Sequence, residues 1–286
     1  MEMGVVYPQV ELRGDPTAVR RIGRAVEDLG FDYLLAYDHV LGAVHADRTR
    51  QLTGPYTQHD PFHDPFVMFA YLAGITERIG FATGVLVLPQ RQTALVARQA
   101  ADVDLLSGGR LRLGVGVGWN HVEYEALGQD FGTRGARQEE QIELLRRLFT
   151  EPVVDFSGRF DRVDQASLVP KPARSIPIWL GGGEAAYDRA ARLADGFIFG
   201  GGIEHATDAW NRLRDRVRAL GRSVDDFGAE YVANIPGSVG DFTAAIGAWR
   251  EAGGTHVSVA SMGLGFDTAD RHIDYLTSVA DALTLS

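Results

Sequence analysis

Residues 107–120 read SGGRLRLGVGVGWN. The apolar run from Leu111 to Val117 predicts a buried strand, and Asn120 is a residue type that often caps a following helix. Glycine occupies every second position at the end of this run. Because glycine leaves bare backbone where a side chain would fill space, a flat or charged ligand can approach the strand end. The stretch therefore predicts a strand, a turn and a helix, with a binding surface at the carboxyl end of the strand.

Similar units lie on both sides of this stretch, since short β-branched runs alternate with longer amphipathic segments. The predicted strands lie at 5–7, 33–37, 81–88, 111–117, 178–180, 197–199, 231–233 and 256–259. Helices are predicted after Asp15-Pro16 and after Asp64-Pro65, where aspartate supplies the cap and proline the first turn, and also at 93–106 and 137–149. Segments 153–156 and 159–163 flank Ser157-Gly158 and predict a small hairpin before the fifth strand.

Eight short strands separated by helices, without a linker of biased composition, predict an α/β fold. We expect residues 1–286 to form a single (β/α)8 TIM barrel with that hairpin as an insertion. An open doubly wound sheet would normally carry a glycine-rich dinucleotide fingerprint after its first strand, and the turn Tyr7-Pro8-Gln9-Val10 lacks one. In a barrel, the chemistry is expected at the carboxyl ends of the strands.

Composition excludes several classes of function. The 286 residues contain no cysteine, which excludes disulfides, thiolate metal sites and thiol catalysis. The net charge of -10 argues against a nucleic-acid surface. No run approaches the roughly 20 apolar residues of a membrane span. Because no secretory signal is recognisable either, we expect a cytoplasmic protein.

Strand two ends at Tyr37-Asp38-His39. A histidine at the end of a barrel strand reaches the mouth of the barrel and titrates near neutral pH, which suits proton transfer or hydrogen bonding to a bound ring. A structural histidine bonded to the loop is the alternative that position alone leaves open. His39 is therefore a candidate site residue.

Two further strand ends carry candidates. Gly84 interrupts the third strand, which indicates either close approach of a ligand to the backbone or simple packing. After the fourth strand, Asn120 and Glu123 have the spacing of a helix cap, and we expect Glu123 to serve that cap rather than catalysis.

Two glycine-rich turns lie at the ends of strands five and six, Gly181-Gly182-Gly183 and Gly200-Gly201-Gly202. Each leads into a predicted helix, whose first N–H groups and dipole favour phosphate. Two such turns on neighbouring strands predict a phosphate site.

A metal site is not expected. The segment His59-Asp60-Pro61-Phe62-His63-Asp64 brings imidazoles and carboxylates together, but its prolines fix an extended backbone and Asp64 already caps a helix. We interpret the remaining histidines, which lack any partner pattern, as structural: His121, His205, His256 and His272.

Taken in order, these pieces resemble the luciferase-like monooxygenase superfamily and, within it, the branch of oxidoreductases that use the deazaflavin coenzyme F(420). The resemblance covers nearly the whole chain. It rests on Asp38-His39, Asp64-Pro65-Phe66, Thr83-Gly84-Val85, residues 107–119, Glu123-Tyr124, Gly128, Pro170-Lys171-Pro172, residues 176–182 and Ala194-Asp195-Gly196.

The resemblance implies a barrel that binds a flavin-type ring in its mouth, usually as a homodimer. It implies that His39, with Asp38, is catalytic and handles a proton, and that the Gly84–Val85 peptide is cis. The cofactor-binding residues it implies are Tyr7, His39, Gly84, Val85, Gly116, Gly118, Trp119, Gly181, Gly182, Gly183, Phe199, Gly200 and Gly201.

One departure from the family bears on the substrate. The sugar-phosphate dehydrogenases of the family carry a glutamate after the strand-four Gly-x-Gly, where this chain has Trp119. An aromatic wall indicates a small, mostly apolar substrate. We expect its identity to be set by the loop 40–63, by Asn234, and by Ser258 and Ser261.

The cofactor is left open between two rings. Coenzyme F(420) transfers hydride, whereas reduced FMN, supplied by a separate flavin reductase, serves monooxygenation. A non-catalytic flavin-binding relative is a further alternative. A polyglutamyl tail on F(420) would need cations at the rim, for which we consider Arg48, Arg50, Arg91 and Arg134.

Overall fold

The computed structural model describes residues 1–234 and 238–285. Its strands are β1 Glu2–Val6, β2 Tyr33–Ala36, β3 Gly80–Thr83, β4 Leu86–Val87, β5 Leu111–Gly116, β6 Val154–Ser157, β7 Arg162–Ala166, β8 Ile178–Gly181, β9 Gly196–Phe199, β10 Gly228–Ala233 and β11 His256–Ala260. Its α-helices are α1 Pro16–Asp28, α2 Pro65–Ala73, α3 Thr93–Leu106, α4 His121–Ala126, α5 Arg134–Thr150, α6 Tyr187–Leu193, α7 Ile203–Ala219, α8 Val239–Glu251 and α9 Ala269–Leu283. Short 3-10 turns lie at Leu88–Gln90, Phe131–Thr133 and Glu184–Ala186.

Parallel strands close into a barrel. They follow the order β3-β2-β1-β11-β10-β9-β8-β5-β4, and pairing of β3 with β5 closes the ring. Because β3 and β4 share one position, the ring has eight strand positions, and the predicted TIM barrel is confirmed. The predicted hairpin is also confirmed, as the antiparallel pair β6–β7.

The third strand differs from its prediction. A continuous strand over 81–88 is wrong, since β3 ends at Thr83 and β4 begins at Leu86, with a cis peptide between Gly84 and Val85. The chain here runs so close to β2 that a Cβ on Gly84 would lie 2.4 Å from the side chain of Leu35. Packing of neighbouring strands therefore accounts for this glycine.

Side chains alternate between the inside of the barrel and the outer core beneath the helices. On β1, Val6 points inward, whereas Val5 and Tyr7 join the outer core. On β9, Ile198 points inward and Phe199 outward. The side chains of Tyr7 and Phe199, both predicted to bind the cofactor, thus point away from the barrel interior.

Helices α1 and α2 begin as predicted, with an aspartate cap followed by proline. The Asp15 carboxylate accepts from the N–H of Thr17, and the Asp64 carboxylate accepts from the N–H groups of Phe66 and Val67. Within residues 1–234 and 238–285, no helix has both the length and the apolarity to cross a membrane.

Candidate active site

His39 lies at the carboxyl end of the barrel and is bonded to a carboxylate. Its Nδ1 lies 3.3 Å from both carboxylate oxygens of Glu123. The same carboxylate accepts the N–H groups of Val40 at 2.6 Å and Leu41 at 3.0 Å. A carboxylate that accepts two backbone donors also requires a donor from the imidazole, so Nδ1 carries the hydrogen and Nε2 presents its lone pair. His39 is thus held in one tautomer with its second nitrogen free.

This arrangement corrects the interpretation of Glu123 as a helix cap. The cap of α4 is Asn120 alone, whose side-chain oxygen accepts the N–H of Val122 at 3.1 Å. The Glu123 side chain, only 1% exposed, instead reaches the segment that follows β2. The spacing of Asn120 and Glu123 predicts a cap, and only tertiary structure brings His39 within reach.

Aromatic rings surround His39. Its ring centroid lies 4.8 Å from that of Phe62 and 5.4 Å from those of Tyr56 and Trp119. Trp119 packs directly on Gly54, where a Cβ would lie 2.0 Å from the indole ring. The His39 side chain is only 10% exposed as a result. The 40–63 loop and Trp119 therefore form an apolar enclosure around the imidazole, which we call the aromatic enclosure.

Asp38 contacts a different set of residues from its neighbour His39. Its carboxylate is fully buried, accepts the N–H of Val87 at 2.9 Å and lies 2.7 Å from Arg91 Nη2. Arg91 also bonds Asp64 at 3.1 Å, which ties β2 to the start of α2. Burial raises the pKa of the Asp38 carboxyl, while Arg91 opposes that shift. Asp38 thus links the end of β2 to Arg91 and, through it, to Asp64.

Arg91 is therefore not an exposed cation at the rim of the barrel, the position for which it was considered as a partner of the F(420) tail. Its side chain is 13% exposed and engaged by two carboxylates. A hydrophilic side chain near a predicted loop suggested an exposed cation, but the buried Asp38 and the partly exposed Asp64 hold it inside.

Val85 occupies the space that the glycines at the ends of β5 and β8 leave open. A Cβ on Gly116 would lie 2.3 Å from Val85 Cγ2, and one on Gly181 would lie 2.6 Å from Cγ1. Gly118, with φ +61°, similarly makes room for Val87. These three glycines accommodate valines, so the surface that a ligand would meet here is the apolar Val85.

The glycine turns after β8 and β9 are open. Within residues 1–234 and 238–285, and apart from chain neighbours, no atom lies within 4 Å of a Cβ built on Gly183, Gly200 or Gly202. Gly182 and Gly201 have φ of +142° and +89°, which favour glycine. A cavity of about 590 Å³ lies beside the second turn and is lined by Gly201, Gly202, Ile203, Tyr231, Asn234, Asp241, Ala244, Ala245 and Ala248. The two turns thus offer exposed backbone to a ligand.

Several predicted residues lie away from this site. The Tyr7 hydroxyl is buried in the outer core and makes no hydrogen bond with the part of the chain that the structure describes. Ser261 bonds His272 behind β11, at 2.8 Å. Ser258 bonds Tyr33 and Glu230 inside the barrel. The two serines therefore do not line the mouth, contrary to expectation.

A second charged cluster lies at the amino end of the barrel. Arg112 of β5 bonds Glu230 of β10 at 2.6 Å across the interior, and its guanidinium stacks 4.1 Å from the ring of Trp179. The Tyr33 hydroxyl donates to Glu230 at 2.8 Å. At the same end, His256 pairs with Glu2 at 3.0 Å.

No group of three or more side chains suited to hold a metal occurs in residues 1–234 and 238–285. The residues that sequence reasoning missed are Tyr56 and Phe62 around His39 and the carboxylate of Glu123. The concentration of aromatic and histidine residues between 56 and 63 was the available indication of an enclosure.

Comparisons with known proteins bear on the family and the fold. The sequence profile of the luciferase-like monooxygenase family matches residues 1–272. An uncharacterized protein of Mycobacterium tuberculosis is 35% identical over 219 residues, which cover 75% of each chain. The structure of an F(420)-dependent secondary alcohol dehydrogenase, in complex with an F(420)–acetone adduct, superposes with a TM-score of 0.80 at 15% identity, over 99% of this chain and 98% of that one. This last likeness concerns the fold alone.

Two relatives with named activities differ in their cofactor. The F(420)-dependent glucose-6-phosphate dehydrogenase of Nakamurella multipartita is 31% identical over 221 residues, which are 74% of this chain and 61% of that protein. The FMNH(2)-dependent dimethylsulfone monooxygenase of Pseudomonas fluorescens is 29% identical over 238 residues, which are 81% of this chain and 58% of that protein.

Proposed function

The chain belongs to the luciferase-like monooxygenase family, a family of oxidoreductases, and from that premise we propose that it transfers hydride between coenzyme F(420) and a small, mostly apolar organic substrate. The observation that carries the proposal is the His39–Glu123 pair at the mouth of the barrel, with one imidazole nitrogen free inside an aromatic enclosure.

The residues at the mouth fit a flavin-type ring with a phosphate. Gly183, Gly200 and Gly202 leave space that a Cβ would fill, and their exposed backbone suits a phosphate. Val85 supplies an apolar surface for one face of a planar ring. Once bound, the deazaflavin accepts or donates hydride at its ring carbon 5. Tyr7 and Phe199 would contribute through their backbone, because their side chains point outward.

His39 supplies the proton-handling group. With Nδ1–H directed at Glu123, Nε2 can take a proton from a hydroxyl group or return it to a carbonyl oxygen. Glu123 acts through His39, since its carboxylate fixes the imidazole and stabilises a positive charge there. Glu123 is thus a positioning residue. We expect Glu123→Gln to lower kcat while KM stays the same, and Glu123→Asp to restore part of kcat.

Phe62, Tyr56 and Trp119 exclude water around this nitrogen and offer rings to an apolar substrate. The proposal of a mostly apolar substrate rests on them. A phosphorylated sugar would bring polar groups into contact with rings that cannot satisfy them.

Titration of the purified protein with each cofactor tests the proposal. We expect saturable binding of oxidised F(420), followed by changes in deazaflavin fluorescence, and much weaker binding in Gly183→Val, whose side chain would fill the open turn. Gly247→Val is the control, because among the described residues this glycine likewise has no atom within 4 Å of a built Cβ and no left-handed φ, but it lies within α8. Tight binding of FMN with no binding of F(420) would overturn the choice of cofactor.

The relative from Pseudomonas fluorescens favours a second candidate, a monooxygenase that uses reduced FMN from a flavin reductase. Oxygen consumption that requires both reduced FMN and a substrate would support it. A non-catalytic flavin-binding protein would instead bind cofactor without turning over any substrate. If a His39 variant turned over substrate as fast as wild type, His39 would have no catalytic role.

We further propose that residues 1–286 form one domain of a cytoplasmic homodimer. Val67 and Tyr71 lie four positions apart on α2 and are 68% and 47% exposed, so they present one apolar strip to solvent. Sedimentation of wild type and Val67→Glu tests the dimer, because a charge in a buried apolar interface would favour the monomer.

A further inference from the structure

Two arginines lie beside the mouth of the barrel, over the ring of Phe131. The guanidinium carbons of Arg50 and Arg134 lie 4.5 Å and 3.9 Å from the centre of that ring. The ring of His121 lies 6.2 Å from it, and Arg48 lies two positions before Arg50 in the 40–63 loop. We call Arg48, Arg50, His121 and Arg134 the Phe131 cluster.

The arginines of this cluster have no acidic partner. Among the described residues, none of Arg48, Arg50 and Arg134 forms an ion pair, whereas Arg271, which also stacks on a phenylalanine, lies 3.6 Å from the carboxylate of Asp267. The chain has 38 acidic residues against 28 basic ones, so unpaired neighbouring arginines go against its overall balance. The guanidinium charges are therefore available to something outside the chain.

Like charges held close together repel each other, and an anion placed among them removes that cost. Burial, together with Arg50 and Arg48, lowers the pKa of His121, which is consistent with an excess of positive charge here. Glu125 opposes that shift. Arg134 donates from Nη1 to the carbonyl oxygen of Phe131 at 2.8 Å, so its Nη2 remains for a ligand, and the planar guanidinium of Arg50 matches the two oxygens of a carboxylate.

The cluster is joined to the proton-handling pair by α4. This short helix directs Glu123 toward His39, while the next residue, Tyr124, packs its ring edge-on against Phe131 at 5.1 Å. The 40–63 loop carries Arg48 and Arg50 as well as the enclosure residue Tyr56. The helix α4 and the 40–63 loop therefore both connect the Phe131 cluster with the residues around His39.

We propose that the Phe131 cluster binds a carboxylate group of a molecule seated in the mouth of the barrel, an inference that rests on the proposed function. The carboxylate belongs either to the glutamyl tail of the deazaflavin or to an otherwise apolar substrate. Arg50 and Arg134 provide the main contacts, because both stack on the ring and lack an acidic partner.

Binding of three pairs of probes by the double variant Arg50→Gln/Arg134→Gln tests the proposal. The probes are F(420) with and without its phosphate and glutamyl tail, γ-linked triglutamate and its amide, and octanoate and octanol. Arg271→Gln is the matched control, since it also removes an arginine stacked on a phenylalanine. Circular dichroism and the urea midpoint check that each variant is folded.

For the tail, we expect the double variant to weaken binding of F(420) and triglutamate by about tenfold or more, with the tailless deazaflavin and the amide unaffected. If the cluster binds a substrate carboxylate, we expect the double variant to bind octanoate more weakly by a similar factor, with its binding of octanol and F(420) unaffected. In both cases, added salt should reduce the difference in affinity between wild type and the double variant. Unchanged affinity for F(420), triglutamate and octanoate alike overturns the proposal. If wild type binds neither deazaflavin nor flavin, the proposed function fails, but triglutamate and octanoate still test the cluster.

Discussion

The two ends of the barrel use similar residues for different purposes. At the amino end, Arg112 and Glu230 neutralise each other across the interior, and Tyr33 bonds the same carboxylate. At the mouth, Glu123 holds His39 by one nitrogen and leaves the other free. Buried polar groups are stable when paired, so a largely buried group with an available nitrogen points to chemistry.

The supports of the two clusters differ as well. Arg112 and Glu230 project from strands β5 and β10, which the barrel fixes in place. His39 follows a strand, but the rings around it come from the 40–63 loop and from Trp119. Rigid strands suit a permanent ion pair, whereas loops on a rigid scaffold suit a site that must admit a ligand.

The largest effect is expected at the mouth. His39→Asn keeps a donor near the position of Nδ1 but loses Nε2, so turnover should fall by about 10²–10⁴-fold. The free energy of unfolding should change by less than about 1 kcal/mol, since Glu123 keeps its donors from Val40 and Leu41. Steady-state kinetics with urea unfolding checks both. Equal losses of activity and stability would contradict the contrast between the two ends.

At the amino end, the expected effect is on stability. Glu230→Gln leaves the charge of Arg112 buried without a counter-ion and should lower the free energy of unfolding by about 3–5 kcal/mol. Turnover of the folded protein should not change. Glu2→Gln is the control, because Glu2 is largely exposed beside His256 and should cost about 1 kcal/mol or less. A Glu230 variant as stable as wild type would show that the buried pair does not stabilise this end.

A substitution at Asp38 tests whether the residues that position the end of β2 can be separated from those that catalyse the reaction. Asp38→Asn weakens the contact with Arg91, which retains Asp64, and should lower the free energy of unfolding by about 1.5–3 kcal/mol. We expect kcat of the folded variant to fall much less than in His39→Asn. A loss of kcat as large as that of the His39 variant would return Asp38 to a catalytic role.

The smallest effect concerns pH. Burial lowers the pKa of His272, with Glu11 opposing and Arg271 adding to the shift, so the folded state favours the neutral imidazole. Its contribution to stability is present above the ordinary pKa of 6.5 and is lost as pH falls toward the lowered pKa. Urea unfolding at pH 7 and pH 5 should show a smaller acid-induced loss in His272→Gln than in wild type. An identical loss in both would assign the pH dependence to other groups.

Local patterns in the sequence were enough for the fold. Asp15-Pro16 and Asp64-Pro65 start helices, residues 93–106 form α3 as predicted, and the count of strands gives the barrel. Such features act within a few residues of the chain. The break after Thr83 escaped prediction because it depends on how closely β3 runs beside β2.

The site was only partly predictable. The position of His39 follows from the end of strand two, and the glycine turns at 181–183 and 200–202 follow from composition. The partner of His39 does not, because Glu123 lies 84 positions away and its spacing from Asn120 also suits a cap. The inward or outward direction of Tyr7 likewise depends on how the sheet closes.

The sequence by itself determined the barrel, since periodicity and turn residues act locally, and the order of its motifs was enough to indicate the family. Only the tertiary structure decided which carboxylate holds His39, that Arg91 is buried between Asp38 and Asp64, and that Arg50 and Arg134 share one ring. Those outcomes depend on side chains from distant segments competing for the same partners, and closure of the barrel settles that competition.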